Sequence, residues 1–116
     1  MGHTPDALLI TPEADIVPID LPDGDNRLIV MRAVLRCDRV DVVALTDQLD
    51  MWLDDEGLYN HPVNKLATLL AIRFGFTHQQ YHGPVLLTGG ADTDGDTVPL
   101  TKDKAVALLT SIADLI

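Results

Sequence analysis

The sequence has a single cysteine and only three lysines. Cys37 has no partner within the chain, so an internal disulfide is excluded, which agrees with a reducing compartment. Because Cys37 ends an apolar run, we expect a buried structural thiol rather than a nucleophile. No apolar run approaches the ~18 residues of a membrane-spanning helix, and the first residues lack a signal-peptide pattern. These absences predict a cytoplasmic protein with no membrane partner.

Basic residues are scarce throughout the chain. Eighteen acidic residues, sixteen of them aspartate, face eight lysines and arginines, which gives a net charge of −10. This charge argues against direct binding to nucleic acid and favours cations or a basic protein surface as partners. A general compositional bias of the source genome is the alternative explanation of the same charge.

The 116 residues, of which 47% are hydrophobic, indicate one domain over residues 1–116 with a modest core. The periodicity of apolar residues predicts the order β-β-α-β-β-α-β-α. The strands are expected at residues 7–10, 15–19, 40–45, 50–54 and 83–90, and the helices at 27–37, 60–75 and 102–116. We therefore predict an α+β fold, with an antiparallel or mixed sheet of about five strands covered by two or three helices.

Single residues predict where several of these elements begin and end. Asn26 can cap the first helix, and Pro62 suits a position close to the first helical residue of the second. Gly75 is expected to end that second helix, and Thr101 to cap the third. Pro18 lacks a backbone donor, so its strand is predicted to lie at an edge of the sheet.

The stretch DTDGDTVPLTKD, residues 92–103, has the spacing of a calcium loop at several positions. Asp92, Asp94 and Asp96 would supply the first ligands, and Asp103 falls at the twelfth position. Thr97 occupies the sixth position, where glycine is needed, and a strand rather than a helix precedes the loop. An acidic turn followed by a helix start explains the same residues. We expect no cofactor, and calcium in this window is the alternative.

Arg32, Arg36 and Arg39 recur at intervals of four and three residues. On a continuous helix they would form a basic stripe able to hold a phosphate or an acidic partner. The alternative is a solvated face whose arginines pair with nearby aspartates, namely Asp25, Asp38 and Asp41.

Three adjacent acids, Asp54, Asp55 and Glu56, are a second candidate surface for binding a ligand or partner. Neighbouring carboxylates can transfer protons when their surroundings differ. In a turn of the form Asp-Asp-Glu-Gly we expect all three to be exposed and ordinary. Downstream, near the start of the second helix, the Asn64 amide is expected to satisfy backbone groups of the preceding turn.

His78 and His82 lie four residues apart, and with His61 or Cys37 they could form a zinc site if their segment were helical. The segment has no clear apolar stripe, so we interpret it as a polar connection. His61, beside Pro62, is expected to lead into the second helix.

The stretch WLDDEGLYNHPVNKLATLL, residues 52–70, and the segments after it carry a pattern of short motifs. The pattern consists of Asp55-Glu56-Gly57, Asn64, Ala67, Thr68, Gly83, Gly95 and Leu100-Thr101. It resembles an uncharacterised family of short proteins from phages, plasmids and actinobacterial genomes. The resemblance implies a compact α+β fold and a mobile-element setting, and it supplies no catalytic residues. The segment before Gly83, residues 76–82, is longer here than in that pattern.

We expect a non-enzymatic accessory protein of a phage or mobile element that binds a host protein, with counter-defence as its candidate role. One alternative is a small-ligand binder, in which neighbouring chains of a homo-oligomer sequester an anionic nucleotide between Arg32, Arg36 and Arg39. Another alternative is a calcium-binding domain. No nucleophile elbow, phosphate-binding glycine loop or dinucleotide fingerprint is present.

Overall fold

The computed structural model describes residues 5–115, apart from the side chain of Asp25, and contains one five-stranded sheet with helices on both faces. The strands are β1 (Ala7–Ile10), β2 (Ile16–Ile19), β3 (Val40–Thr46), β4 (Leu49–Asp54) and β5 (Val85–Thr88), in the order β2-β1-β5-β4-β3. The helices are α1 (Asp25–Leu35), α2 (Gly57–Asn60), α3 (Lys65–Arg73) and α4 (Lys102–Ala113). All strand pairs are antiparallel, so the predicted α+β class is confirmed.

The two faces of the sheet bury separate apolar clusters. On one face, Met31 and Leu35 of α1 pack with Leu86 of β5. On the other face, α3 and α4 pack against the alternate side chains of the same strands, among them Leu87. Neighbouring residues enter different clusters because successive side chains of a strand point to opposite faces. None of the helices within residues 5–115 combines the length and the apolar character needed to cross a membrane.

Several predicted boundaries are confirmed. The Thr101 hydroxyl accepts a hydrogen bond from the backbone N–H of Lys104 (3.2 Å) and caps α4. Gly75 follows the end of α3 with a φ of 93°, a left-handed conformation that glycine adopts without steric penalty. Pro18 lies in β2, which is an edge strand.

The predicted cap of the first helix is wrong. α1 begins at Asp25, directly after Gly24, and no side chain caps its first turn. Asn26 therefore lies inside the helix. The helix starts two residues earlier than expected because the chain turns at Gly24, whose φ of 69° suits glycine.

The predicted start of the second helix is also wrong. α3 begins at Lys65, with Asn64 rather than Pro62 at its start. The cause is a contact distant in sequence: Val63 forms an isolated antiparallel bridge with His82. That pairing holds the chain at residues 61–63 in an extended form and delays the helix.

Both edges of the sheet limit further strand pairing. β2 has Pro18, which offers no N–H. On the other edge, in β3, the carboxylate of Asp41 accepts the backbone N–H of Val42 (2.8 Å), so this donor is already used. A proline and an inserted charge are common protections of edge strands.

Candidate functional site

An open groove of about 320 Å³ lies at the C-terminal end of β4, where α2 and residues 79–82 meet the sheet. Its polar wall is formed by Asp41, Asp54, Asp55, Gln79, Gln80 and His82. Leucine and tyrosine side chains form the rest, and no lysine or arginine is among the lining residues. We call this site the acidic groove.

Asp54 is the most buried carboxylate of the acidic groove, with 6% of its surface exposed. Its Oδ1 accepts the backbone N–H of Glu56 (2.9 Å), and its Oδ2 accepts the side-chain amide of Asn60 (3.3 Å). The Nε2 atom of His61 lies 3.0 Å from the same Oδ2. An ionised carboxylate can only accept hydrogen bonds, so Nε2 is the donor, and Nδ1 is the nitrogen without a hydrogen in the neutral form of the ring.

The expectation that the three adjacent acids are all exposed is wrong for one of them. Asp54 is the last residue of β4 and lies buried among hydrogen-bond donors, whereas Asp55 and Glu56 are exposed. The reason is the turn that follows, which folds Asn60 and His61 back over the end of the strand. Asp55 lines the acidic groove together with Asp54, and Glu56 does not.

His61 is held from a second side by Gly83. This glycine has a φ of 80°, and a Cβ atom at its position would lie 2.8 Å from the His61 ring. The carbonyl oxygen of His61 also accepts a hydrogen bond from Nδ1 of His82 (3.0 Å). The His61 ring therefore has a fixed position between Asp54 and the chain that leads into β5.

Asn64 connects this region to the sheet. It is completely buried, and its side-chain amide donates to the carbonyl oxygens of Ile10 (3.0 Å) and Gly83 (2.9 Å). One turn later, the Thr68 hydroxyl donates to the Asn64 carbonyl (2.9 Å) and accepts the backbone N–H of Tyr81 (3.0 Å). The expected partners of the Asn64 amide are therefore wrong, because it satisfies carbonyl groups distant in sequence rather than those of the turn before the helix. Its Oδ1 accepts the N–H of Ala67 at the start of α3.

The short helix α2 presents two large side chains to solvent beside the acidic groove. Leu58 is 66% exposed and lines the groove, and the next residue, Tyr59, is 85% exposed. α2 approaches the neighbouring chain closely, because a Cβ atom on Gly57 would lie 2.9 Å from the carbonyl oxygen of His82. Leu58 and Tyr59 are therefore exposed on a helical turn whose backbone packs closely against the neighbouring chain.

A second groove of about 170 Å³ lies between the β1–β2 turn, the end of α1 and His61. Its polar side chains come from Thr11, Glu13, Arg36 and His61, and its apolar lining includes Val34. We call it the arginine groove. His61 borders it, and Asp54, the hydrogen-bond partner of His61, borders the acidic groove.

The predicted basic stripe on one helix does not form. α1 ends at Leu35, Arg36 has a left-handed backbone with a φ of 55°, and Arg39 lies beyond the helix. Arg32 alone remains within the last helical turn. Of the three arginines, Arg36 lines the arginine groove, and Arg32 and Arg39 do not.

The predicted calcium window forms an acidic turn. Asp92 uses one carboxylate oxygen to accept the backbone N–H groups of Asp94 (2.9 Å) and Asp96 (3.0 Å). Asp103 lies apart, in the first turn of α4. Within residues 5–115 no three His, Cys, Asp or Glu side chains are grouped so that they could hold a metal ion.

Two side chains, those of Cys37 and Asp50, have a raised pKa. Cys37 is half-buried against the α1 face of the sheet. Burial raises the pKa of its thiol, and the nearby charge of Asp54 raises it further. On β4, burial raises the pKa of Asp50. The thiol of Cys37 is thus protonated at neutral pH, as a structural cysteine is.

The residues that line both grooves fall in a segment of the chain that matches a known protein family. A family described as a domain of unknown function, DUF3846, matches residues 5–113. The chain belongs to this family. The resemblance to an uncharacterised family is therefore confirmed, and within this DUF3846 domain several residues that carried it, among them Gly57, Asn64, Thr68 and Gly83, hold the two grooves together. No curated protein and no solved structure matches the chain.

Sequence reasoning missed Gln79 and Gln80 of this DUF3846 domain, and it considered His61 and His82 as zinc ligands or connecting residues but not as parts of these grooves. His61 was assigned to a helix start, and residues 76–82 to a polar connection that is indeed not helical. That connection supplies Gln79, Gln80 and His82 to the acidic groove. The one available signal was the proximity in sequence of Asp54, Asn60 and His61, three polar residues that flank a turn.

Proposed function

We propose that this protein binds another protein, and that the acidic groove and α2 receive a basic segment of the partner. The observation that carries the proposal is the position of two exposed apolar residues, Leu58 and Tyr59, beside a groove with three aspartates. Tyrosine is enriched at the energetic centres of protein interfaces. An exposed tyrosine and leucine beside carboxylates match a segment that has both apolar and cationic side chains.

The charge of the groove favours a lysine or arginine of the partner. Asp41 and Asp55 are exposed, whereas Asp54 is already saturated by donors from its own chain. The two exposed carboxylates would pair with a cation, and Gln79 and Gln80 would hydrogen-bond the partner backbone. Asp54 fixes the turn that presents α2, so it acts as a positioning residue.

We extend the proposal to the setting that the family resemblance implies. The protein acts as an accessory factor of a phage or mobile element, and its partner is a host protein with a basic surface. In a counter-defence role, the acidic groove and α2 would occupy a surface on which the host protein binds nucleic acid. Complementary potential accelerates such an encounter and selects its orientation.

The test is a binding screen of the full chain against short peptides that combine arginine or lysine with leucine or an aromatic residue. Versions in which glutamate replaces each basic residue serve as the matched negative peptides. Binding peptides are then titrated against Tyr59→Ala and Asp55→Lys at about 0.15 M salt, where distant charges are screened. We expect each variant to raise Kd about tenfold or more, which is roughly 1.4 kcal/mol.

Asp94→Lys is the control variant, since it makes the same charge change as Asp55→Lys. Asp94 is exposed on the turn after β5, away from the groove. It should change Kd by less than about twofold. An equal loss of affinity in both lysine variants would show that binding depends only on net charge and would refute the proposal. Equal binding of basic and acidic peptides would refute it as well.

A further inference from the structure

One nitrogen of the His61 ring makes no hydrogen bond to another described residue. Its described hydrogen bond is made by Nε2 to Asp54. Every buried side-chain nitrogen or oxygen within the described residues has a hydrogen-bond partner. Nδ1 of His61 has no partner among the described residues, so it is not fully buried, and His61 lines the arginine groove.

Arg36 has an unusual backbone for its residue type. It ends α1 in the left-handed conformation, with a φ of 55° and a ψ of 50°. Glycine is the usual residue there, because an L side chain is strained in this region. Arg36 is exposed and lines the same groove as His61. A strained backbone that brings an arginine to a groove is a reason to look for a ligand of that arginine.

The size and lining of the groove restrict the ligand. The volume of about 170 Å³ is below the range of roughly 300–1,000 Å³ that drug-sized ligands fill. Val34 and two prolines, Pro62 and Pro84, give apolar surfaces, and the Thr11 side chain adds a hydroxyl. Glu13 also lines the groove and repels a polyanion.

We propose that the arginine groove binds a small ligand through one phosphate or carboxylate group, held by the Arg36 guanidinium and by Nδ1 of His61. Arginine forms paired hydrogen bonds with both kinds of group. Nδ1 accepts a hydrogen bond from a protonated oxygen of the ligand when the ring is neutral, and donates one to the anion when the ring is charged. This site is separate from the acidic groove, so either proposal can fail alone.

The test is a titration of the full chain with inorganic phosphate and, separately, with acetate, followed through the NMR signals of the His61 ring nitrogens. Sodium chloride at equal ionic strength is the reference. We expect a saturable shift of Nδ1 with phosphate, acetate or both, and the two titrations identify which group the site accepts. Neither anion exceeding chloride would overturn the proposal.

Two arginine variants make the test specific. Arg36→Gly should weaken binding about tenfold or more and still fold, because glycine adopts the left-handed conformation freely. Arg73→Ala removes the same charge from the end of α3 and should change Kd by less than about twofold. Equal effects of the two variants would overturn the assignment. Tyr59→Ala, which tests the acidic groove, should leave anion binding unchanged.

Discussion

At the scale of single residues, Asn64 makes the largest set of connections around the grooves. Its Oδ1 accepts the N–H of Ala67 (3.0 Å) and so caps α3. Its amide group donates to Ile10 at the end of β1 and to Gly83 in the segment before β5. Asn64 itself is completely buried. A buried amide that satisfies three backbone groups cannot be replaced by an apolar side chain without leaving those groups unpaired.

We predict that Asn64→Ala lowers the free energy of unfolding by about 3 kcal/mol, through the lost cap and the unpaired carbonyls. Chemical denaturation measures this change. Asn26→Ala is the matched control, because Asn26 is exposed inside α1 and caps nothing. The control should stay within about 0.5 kcal/mol of the wild type. Similar losses in both variants would contradict the role assigned to Asn64.

At the scale of elements, the walls of the acidic groove come from parts of the chain that are short or irregular. α2 has four residues, and residues 79–82 have no regular secondary structure apart from one bridge at His82. Glycines allow these parts to meet, since Gly57 and Gly83 each leave no room for a Cβ atom. The grooves therefore depend on close backbone contacts between elements more than on the elements themselves.

The contact between Gly83 and His61 can be separated from backbone strain. Gly83 and Gly95 have nearly the same φ, 80° and 82°, but only Gly83 has a neighbour within contact distance. Gly95→Ala should cost about 1 kcal/mol, the usual penalty of a left-handed alanine. Gly83→Ala should cost at least about 1 kcal/mol more, because its Cβ displaces the His61 ring.

Thermal unfolding of the two glycine variants gives the energies, and the NMR signal of the His61 ring gives the displacement. The ring signal should shift in Gly83→Ala and stay in place in Gly95→Ala. Equal energies with an unmoved ring would mean that Gly83 is required only for its backbone conformation.

The sequence predicts the elements of this fold well, because their signals are local. Alternating apolar residues in β3 and β4, and Thr101 before α4, are each contained in a few neighbouring residues. One error occurred where a residue distant in sequence decides the outcome, since the pairing of Val63 with His82 delays α3. The other error has a local cause, because the backbone conformation of Gly24 starts α1 earlier than a cap at Asn26 would.

The candidate site was only partly predictable for the same reason. Asp54 and Asp55 were identified by their charge, and Arg36 by its spacing from other arginines. The burial of Asp54 depends on His61, seven residues later, and four-residue α2 is too short for any helical periodicity. The predicted arginine stripe was wrong because the helix ends at Arg36 in a left-handed backbone conformation, which an arginine side chain does not indicate.

At the scale of the whole molecule, few ion pairs between described residues offset the excess of acid. Arg27 pairs with Asp23 at 3.5 Å on the surface, and His61 hydrogen-bonds Asp54. A net charge of −10 on 116 residues then leaves the folded state under self-repulsion. The same repulsion opposes contact between two acidic surfaces and favours a basic partner.

We predict that added salt stabilises the protein. Raising the salt from about 0.01 M to about 0.5 M shortens the screening length from roughly 30 Å to below 8 Å. The weaker repulsion should add about 1 kcal/mol of stability, or roughly 4 °C in Tm at this chain length. Asp94→Lys lowers the excess negative charge by two and should show a smaller salt effect. A Tm that stays constant or falls with salt would mean that the carboxylates are balanced within the fold, and the charge could no longer support the choice of a basic partner.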